Sequence, residues 1–241
     1  MPNSILYNED CIRVMKRLEG GSVDLILTDP PYNLGNFMKG RDTNLKKMRE
    51  NFFGAAGWDD LSFEDWENSM DDFFEESVRI LKKGGAMLVF MSIIKVETLI
   101  RIAERHKLYY KTTGIWHKPN PMPRNMNLHF VNSTEAWVYF TYGKRTGTFN
   151  NDGKLIHDFL EIGVAANGER KYGKHPTQKP VALMEHFIRL LSNDGEMILD
   201  PFMGSGSTGV AAIRNNRNFT GVELNENYFQ MATKRIQEVK K

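Results

Sequence analysis

Met197-Ile198-Leu199-Asp200-Pro201-Phe202-Met203-Gly204-Ser205-Gly206-Ser207-Thr208 is a short apolar run, a turn with two glycines, and the opening of a helical pattern. The run 196–200 reads as a buried strand and 207–215 as a helix. Gly204 and Gly206 lie between them, and without a Cβ they let backbone come close to a ligand or to a neighbouring helix. A second apolar run, 219–223, follows the helix and ends in Glu223. Strand, turn, helix and strand in this order form the unit of a parallel sheet. An acid at the end of the second strand can accept hydrogen bonds from two vicinal ribose hydroxyls at once.

The same reading extends through the chain. Further strands are expected at 5–8, 23–29, 86–91, 112–117 and 136–141, giving seven in all. Helices are expected at 11–18, 63–81, 95–106, 180–191 and 225–239, besides 207–215. Ser62 is a plausible N-cap for the long helix, with Asp65 three residues on. Gly84-Gly85 and Asn193-Asp194-Gly195 read as helix stops before strands. The fold expected is α/β: a twisted, mostly parallel seven-stranded sheet with helices on both faces, in one domain over 1–241. Two stretches, 33–61 (glycine-, asparagine- and lysine-rich) and 143–175 (polar, with six glycines), are too long for ordinary connections, which marks them as functional loops or disordered segments.

Composition narrows the class. With 41% hydrophobic and 26% charged residues, the chain has the make-up of a soluble globular protein. No window approaches the roughly 20 apolar residues of a membrane span, and the start lacks a basic n-region, so neither a membrane role nor a signal peptide is expected. The single cysteine, Cys11, excludes an internal disulfide and fits a reducing cytoplasm. The scattered histidines, with His117, His129 and His175 read as loop or surface residues, form no zinc-like cluster, and no metal is expected. The net charge of +2 hides an asymmetry. Lys39, Arg41, Lys46, Lys47 and Arg49 cluster in one loop, and Lys118 and Arg124 in another, while 59–76 holds nine acids and no Lys or Arg. A basic face of this kind attracts phosphate, with an affinity that falls steeply as salt rises; ordinary solvated helix faces would look the same.

The run Thr28-Asp29-Pro30-Pro31-Tyr32 leaves strand 23–29 at its C-terminal edge, where open α/β sheets bind ligands. An exocyclic aromatic amine is a poor nucleophile because its lone pair is delocalised into the ring. Two acceptors aimed at its N–H bonds, the Asp29 carboxylate and the Pro30 carbonyl, would draw it toward tetrahedral geometry. Two consecutive prolines stiffen the turn and preorganise those acceptors. Tyr32 offers a face on which an extruded base can stack. Asp29 would polarise the amine more than deprotonate it. A capping Asp beside a packed Tyr is the plain structural alternative. With Gly209 the glycine turn also satisfies Gly-x-Gly-x-x-Gly, so its spacing alone is equally that of an NAD site. Its late position, and its entry through Asp200-Pro201-Phe202, favour S-adenosylmethionine (AdoMet).

Taken together, these motifs resemble the N4/N6 DNA amino-methyltransferases in their permuted, β-class order, and especially the small adenine methyltransferases of bacterial restriction-modification systems. The resemblance covers nearly the whole chain: the catalytic turn 28–32, Leu81-Lys82-Lys83-Gly84-Gly85, the loop from Trp116 to Asn125 followed by Glu135, His175-Pro176-Thr177-Gln178-Lys179-Pro180, and 200–208. It implies AdoMet as cofactor and DNA as partner, and it leaves room for a homodimer and a cognate restriction endonuclease. It implies that Asp29, Pro30, Pro31 and Tyr32 hold the target base. It places Asp10, Cys11, Asp29, Thr177, Lys179, Asp200, Pro201, Phe202, Gly204, Ser205, Gly206, Thr208 and Glu223 around the cofactor. Asp10-Cys11 would face its adenine, Glu223 its ribose, and Thr177 and Lys179 its carboxylate end. Asp rather than Ser at the head of the catalytic turn leans to adenine N6, with cytosine N4 as the alternative; an RNA or protein-amide methyltransferase would more usually carry Asn there. Loop 33–61 would order over the site. The recognition segment, about 143–172, is short, which implies brief or relaxed sequence selectivity.

Overall fold

A computed structural model of the chain describes residues 2–34, 61–121 and 130–240. Among them, one sheet of eight strands runs in the order β1-β8-β7-β2-β3-β5-β4-β6. The strands are β1 (Ser4–Tyr7), β2 (Val23–Thr28), β3 (Leu81–Met91), β4 (Leu108–His117), β5 (Thr134–Tyr142), β6 (Phe159–Glu161), β7 (Met197–Asp200) and β8 (Asn218–Val222). The helices are α1 (Cys11–Arg17), α2 (Phe63–Ile80), α3 (Val96–Arg105), α4 (Val181–Leu191), α5 (Ser207–Arg214) and α6 (Glu226–Glu238). Strands β1, β8, β7, β2 and β3 are parallel neighbours, β5 runs antiparallel between β3 and β4, and β6 is parallel to β4.

Alternation along the central strands explains the layers. Leu25 and Leu27 of β2, with Ala86, Leu88 and Phe90 of β3, pack against α4, α5 and α6. Their sequence neighbours Ile26, Met87, Val89 and Met91 face the other way, against Met15 of α1, Trp66, Phe73 and Phe74 of α2, and Leu99 of α3. Side chains on successive strand residues point to opposite faces, so a strand covered on both sides becomes a continuous apolar run. Ser62 caps α2 by accepting the Asp65 backbone N–H at 3.0 Å, as the sequence suggests.

Two sequence expectations require correction. The sheet has an eighth strand, β6, inside the stretch expected to be recognition loop. Gly84-Gly85 does not precede β3 but lies within it: Leu81 already pairs with Val23, and the register shifts before Ala86 meets Leu25. Gly84, at φ +90°, absorbs that irregularity in a conformation closed to most side chains.

Candidate active site

The turn that follows β2 is fastened on two sides. The Thr28 hydroxyl donates to Asp200 Oδ1 at 2.8 Å, tying the end of β2 to the end of β7. The Trp66 indole N–H of α2 reaches the Pro31 carbonyl at 3.4 Å. Within this frame Asp29 accepts from two donors, the Tyr32 hydroxyl at Oδ1 (2.7 Å) and the Lys179 ammonium at Oδ2. Both donors also touch one oxygen of Glu135, at the head of β5: Oε2 lies 3.2 Å from the Tyr32 hydroxyl and 3.0 Å from Lys179 Nζ. The other Glu135 oxygen accepts from Lys118 at 2.9 Å.

The electrostatics of this cluster are uneven. Burial pushes the Asp29 carboxyl up from its ordinary value and Glu135 adds to the effect, while Lys179 and Tyr32 pull the other way. Glu135 is also raised by burial, but Lys179 and Lys118 outweigh that and hold it at about 2. Burial opposes the charge on Lys179, yet the two carboxylates win and raise its pKa. Glu135 is thus the fixed anion, and Asp29 the carboxylate with the greater proton affinity. A carboxylate offers about four lone-pair positions, so Asp29 keeps acceptor capacity beyond its two donors.

The glycine turn has the conformation its residues require. Gly204 and Gly206 lie at φ +50° and +80°, and the Gly204 N–H donates to Glu223 Oε2 at 2.9 Å. Asn225 N–H holds the other Glu223 oxygen at 2.8 Å. Cys11, Val222 and Phe202 gather beside this acid in one apolar cluster, and Phe202 meets Phe73 edge-on at 5.6 Å between ring centres. A carboxylate with lone pairs to spare, a Cβ-free turn and an apolar floor form a donor set that fits an adenosyl group. Asp10 caps α1 through the Arg13 N–H at 3.0 Å, Cys11 is buried, and Thr177 is exposed.

Several other residues lie differently from the sequence expectation. Asp200 and Thr208 are turned inward: the Asp200 carboxylate accepts from the hydroxyls of Thr28 and Thr208 (2.6 Å) and from the Phe202 N–H (3.2 Å). They brace the turn from beneath. Lys179 lies on Asp29 and Glu135, its side chain 5% exposed. Lys118, expected on a phosphate, is 13% exposed and paired with Glu135, because β4 and β5 bring the two together. Lys39, Arg41, Lys46, Lys47, Arg49 and Arg124 fall outside the described residues, as does most of loop 33–61.

The contacts of two further residues with the glycine turn are not read from the sequence. Arg235 of α6 donates to the Ser205 carbonyl (2.6 Å) and approaches the hydroxyls of Ser205 and Ser207 (3.0 and 3.2 Å), clamping the glycine turn. His175 lies in a loop, as the sequence suggests, but is partly buried: its ring packs on Tyr228 at 4.3 Å, and a Cβ on Gly204 would lie 3.2 Å from its Nε2. Burial, then Lys179 and Arg235, lower it to about 4, so the imidazole is neutral at pH 7. The only local signal for His175 is its place in the run leading to Lys179. Among the described residues no cluster could hold a metal ion, and no helix is long and apolar enough to cross a membrane.

Burial pushes the Asp200 carboxyl up to about 6, against the hydrogen bonds from Thr208 and Thr28. This native value lies above the unfolded one, about 3.9, so the folded chain binds the extra proton between those values. Stability therefore falls as pH rises through that window and levels off above it. Asp200→Asn is expected to remove this slope. In urea titrations, the stability of the wild type relative to the variant should drop by about 2–3 kcal/mol from pH 4 to 7.

Residues 23–234 match the model of the N6/N4 DNA methylase family. The type II methyltransferase M.HinfI of Haemophilus influenzae is 30% identical over 253 residues, spanning 99% of this chain and 69% of that protein. M2.DpnII of Streptococcus pneumoniae, also a type II methyltransferase, is 30% identical over 247 residues, spanning 97% and 89%. The crystal structure of M1.HpyAVI with SAM superposes with a TM-score of 0.71 at 28% identity, covering 97% of this chain and 99% of that one. The cytosine-N4-specific PvuII DNA methyltransferase shares the fold, with a TM-score of 0.78 at 18% identity over 100% and 91% of the two chains. With the family match running from β2 into α6, and relatives at 30% identity along almost all of its length, this chain belongs to the N6/N4 DNA methylase family.

Proposed function

We propose that this DNA methylase transfers the methyl group of AdoMet to the N6 amine of a flipped-out adenine in DNA. The observation that carries the reading is the Asp29 carboxylate at the C-terminal edge of β2, joined through Thr28 and Asp200 to the glycine turn beside it. AdoMet supplies a methyl group on a sulfonium, an intrinsically good leaving centre. The chain supplies position. Asp29 and the Pro30 carbonyl accept from the two amine N–H bonds, and the Tyr32 ring stacks on the base. As the amine lone pair formed the new C–N bond, the methyl–sulfur bond would break with its electron pair left on sulfur, releasing S-adenosylhomocysteine, and Asp29 would take the proton that the amine nitrogen then carries in excess. On the cofactor side, Glu223 accepts from the ribose hydroxyls, while Phe202, Gly204, Asp10-Cys11 and Thr177 line the remainder.

The type II methyltransferases among the relatives support a modification role beside a cognate restriction endonuclease. The test is tritiated-methyl transfer from AdoMet to unmethylated bacterial DNA, followed by nucleoside digestion and mass spectrometry. N6-methyladenine is the expected product. N4-methylcytosine would keep the mechanism and overturn the base; no methylated DNA despite AdoMet binding would overturn the substrate.

A further inference from the structure

We propose that Glu135 is a positioning residue of the methyl transfer, its Oε2 holding the Lys179 ammonium in place so that Lys179, together with the Tyr32 hydroxyl, fixes the Asp29 carboxylate. The proposal rests on the function read above and adds a residue from a different strand. Asp29, Tyr32, Glu135 and Lys179 form a closed ring of contacts, in which each carboxylate touches both donors. A tyrosine hydroxyl has one hydrogen. At 2.7 Å to Asp29 and 3.2 Å to Glu135, that hydrogen belongs to Asp29, and Glu135 stays beside the oxygen because Lys118 and Lys179 hold it there.

The charges balance, with Asp29 and Glu135 against Lys118 and Lys179; the other acid facing this cluster, Asp200, is screened by its own donors. Without Glu135, Lys179 would have Asp29 as its one carboxylate partner among the contacts described. Lys179 would then draw the carboxylate toward itself and weaken it as an acceptor for the amine. Lys118 is the outer anchor of this ring, one residue past the end of β4.

The experiment measures single-turnover methyl transfer against pH, with AdoMet affinity by calorimetry, for wild type, Glu135→Gln, Glu135→Asp and Lys118→Gln. Glu135→Gln should lower the rate constant about 100-fold, as expected when a reacting group is misplaced by an ångström or so, with AdoMet affinity unchanged. Its acid limb should move to lower pH by about one unit, since a like charge has left the neighbourhood of Asp29. Lys118→Gln should move the limb the opposite way. Glu135→Asp keeps the charge but not the reach, so the limb should stay in place while the rate falls. If Glu135→Gln does not fold, the other two variants decide: a limb that moves to higher pH in Lys118→Gln, and one that stays in place with a lowered rate in Glu135→Asp.

Titration of the Asp29 carboxyl by 13C NMR, assigned with Asp29→Asn, reads the same shifts without turnover, so a failure of the DNA-methylation reading is seen separately. An Asp29 titration unmoved by Glu135→Gln or Lys118→Gln overturns the proposal. So does a loss of AdoMet affinity in Glu135→Gln, which would place Lys179 in the cofactor site.

Discussion

Asp29→Ala is expected to lower the rate of methyl transfer by roughly 10²–10³-fold, equivalent to about 3–4 kcal/mol of transition-state stabilisation, while AdoMet binding is retained. The size follows from what the carboxylate does: it is a fixed acceptor at the place where positive charge develops on the amine nitrogen, in a site partly closed to water. The variant leaves the frame standing. Lys179 keeps Glu135 as a partner, the Tyr32 hydroxyl keeps its contact to the same oxygen, and Thr28 still ties β2 to Asp200. Glu223 and the glycine turn do not touch Asp29, so calorimetry should give the wild-type affinity for AdoMet. A variant retaining more than a tenth of the single-turnover rate would show that the Pro30 carbonyl alone suffices and that Asp29 is structural.

Gly206→Ala should have the largest effect on stability. The residue lies at φ +80°, and a Cβ there would lie 2.8 Å from the Ala232 Cβ and 3.0 Å from its Cα in α6. Backbone cannot yield as a flexible side chain can. The left-handed conformation costs a non-glycine residue about 1–2 kcal/mol, and the forced contact about 1–3 more. For a chain of this length the sum corresponds to a fall in Tm of roughly 4–20 °C, measurable by thermal scanning. AdoMet should give the variant less thermal protection than the wild type, because α6 holds the turn through Arg235. Gly204→Ala is the internal comparison: its Cβ meets only the edge of the His175 ring, at 3.2 Å, and a ring can shift. Equal melting temperatures for Gly206→Ala and wild type would rule out the clash.

What could be read from the sequence follows the range of each interaction. Strands β2, β7 and β8 are covered on both faces and appear as apolar runs, and the turn residues after them carry their own local signals. Asp29, Tyr32, Gly204, Gly206 and Glu223 each belong to a short motif, so they were legible. Strand β6 was not, because it is three residues long, has Phe159 and Glu161 exposed, and pairs only with β4. Gly84-Gly85 misled for a different reason: the pairing of Leu81 with Val23 starts the strand before the glycines, and tertiary pairing overrides the local stop signal. The ion pairs around Glu135 depend on β5 lying between β3 and β4, a strand order that no local pattern specifies. Arg235 and His175 are hidden likewise, since each meets the glycine turn from a segment remote in sequence.

The bonds that join the two halves of the site are long in sequence: Thr28 to Asp200 spans 172 residues, Lys179 to Asp29 spans 150, and Tyr32 to Glu135 spans 103. Contacts of such separation form late and slowly, because the chain loses loop entropy before they contribute. On the ribosome, the catalytic turn emerges early and waits unbraced until β7, α5 and α6 are made. Cofactor affinity should therefore arise in one step once α6 has been made, making AdoMet binding a sensitive reporter of a completed site.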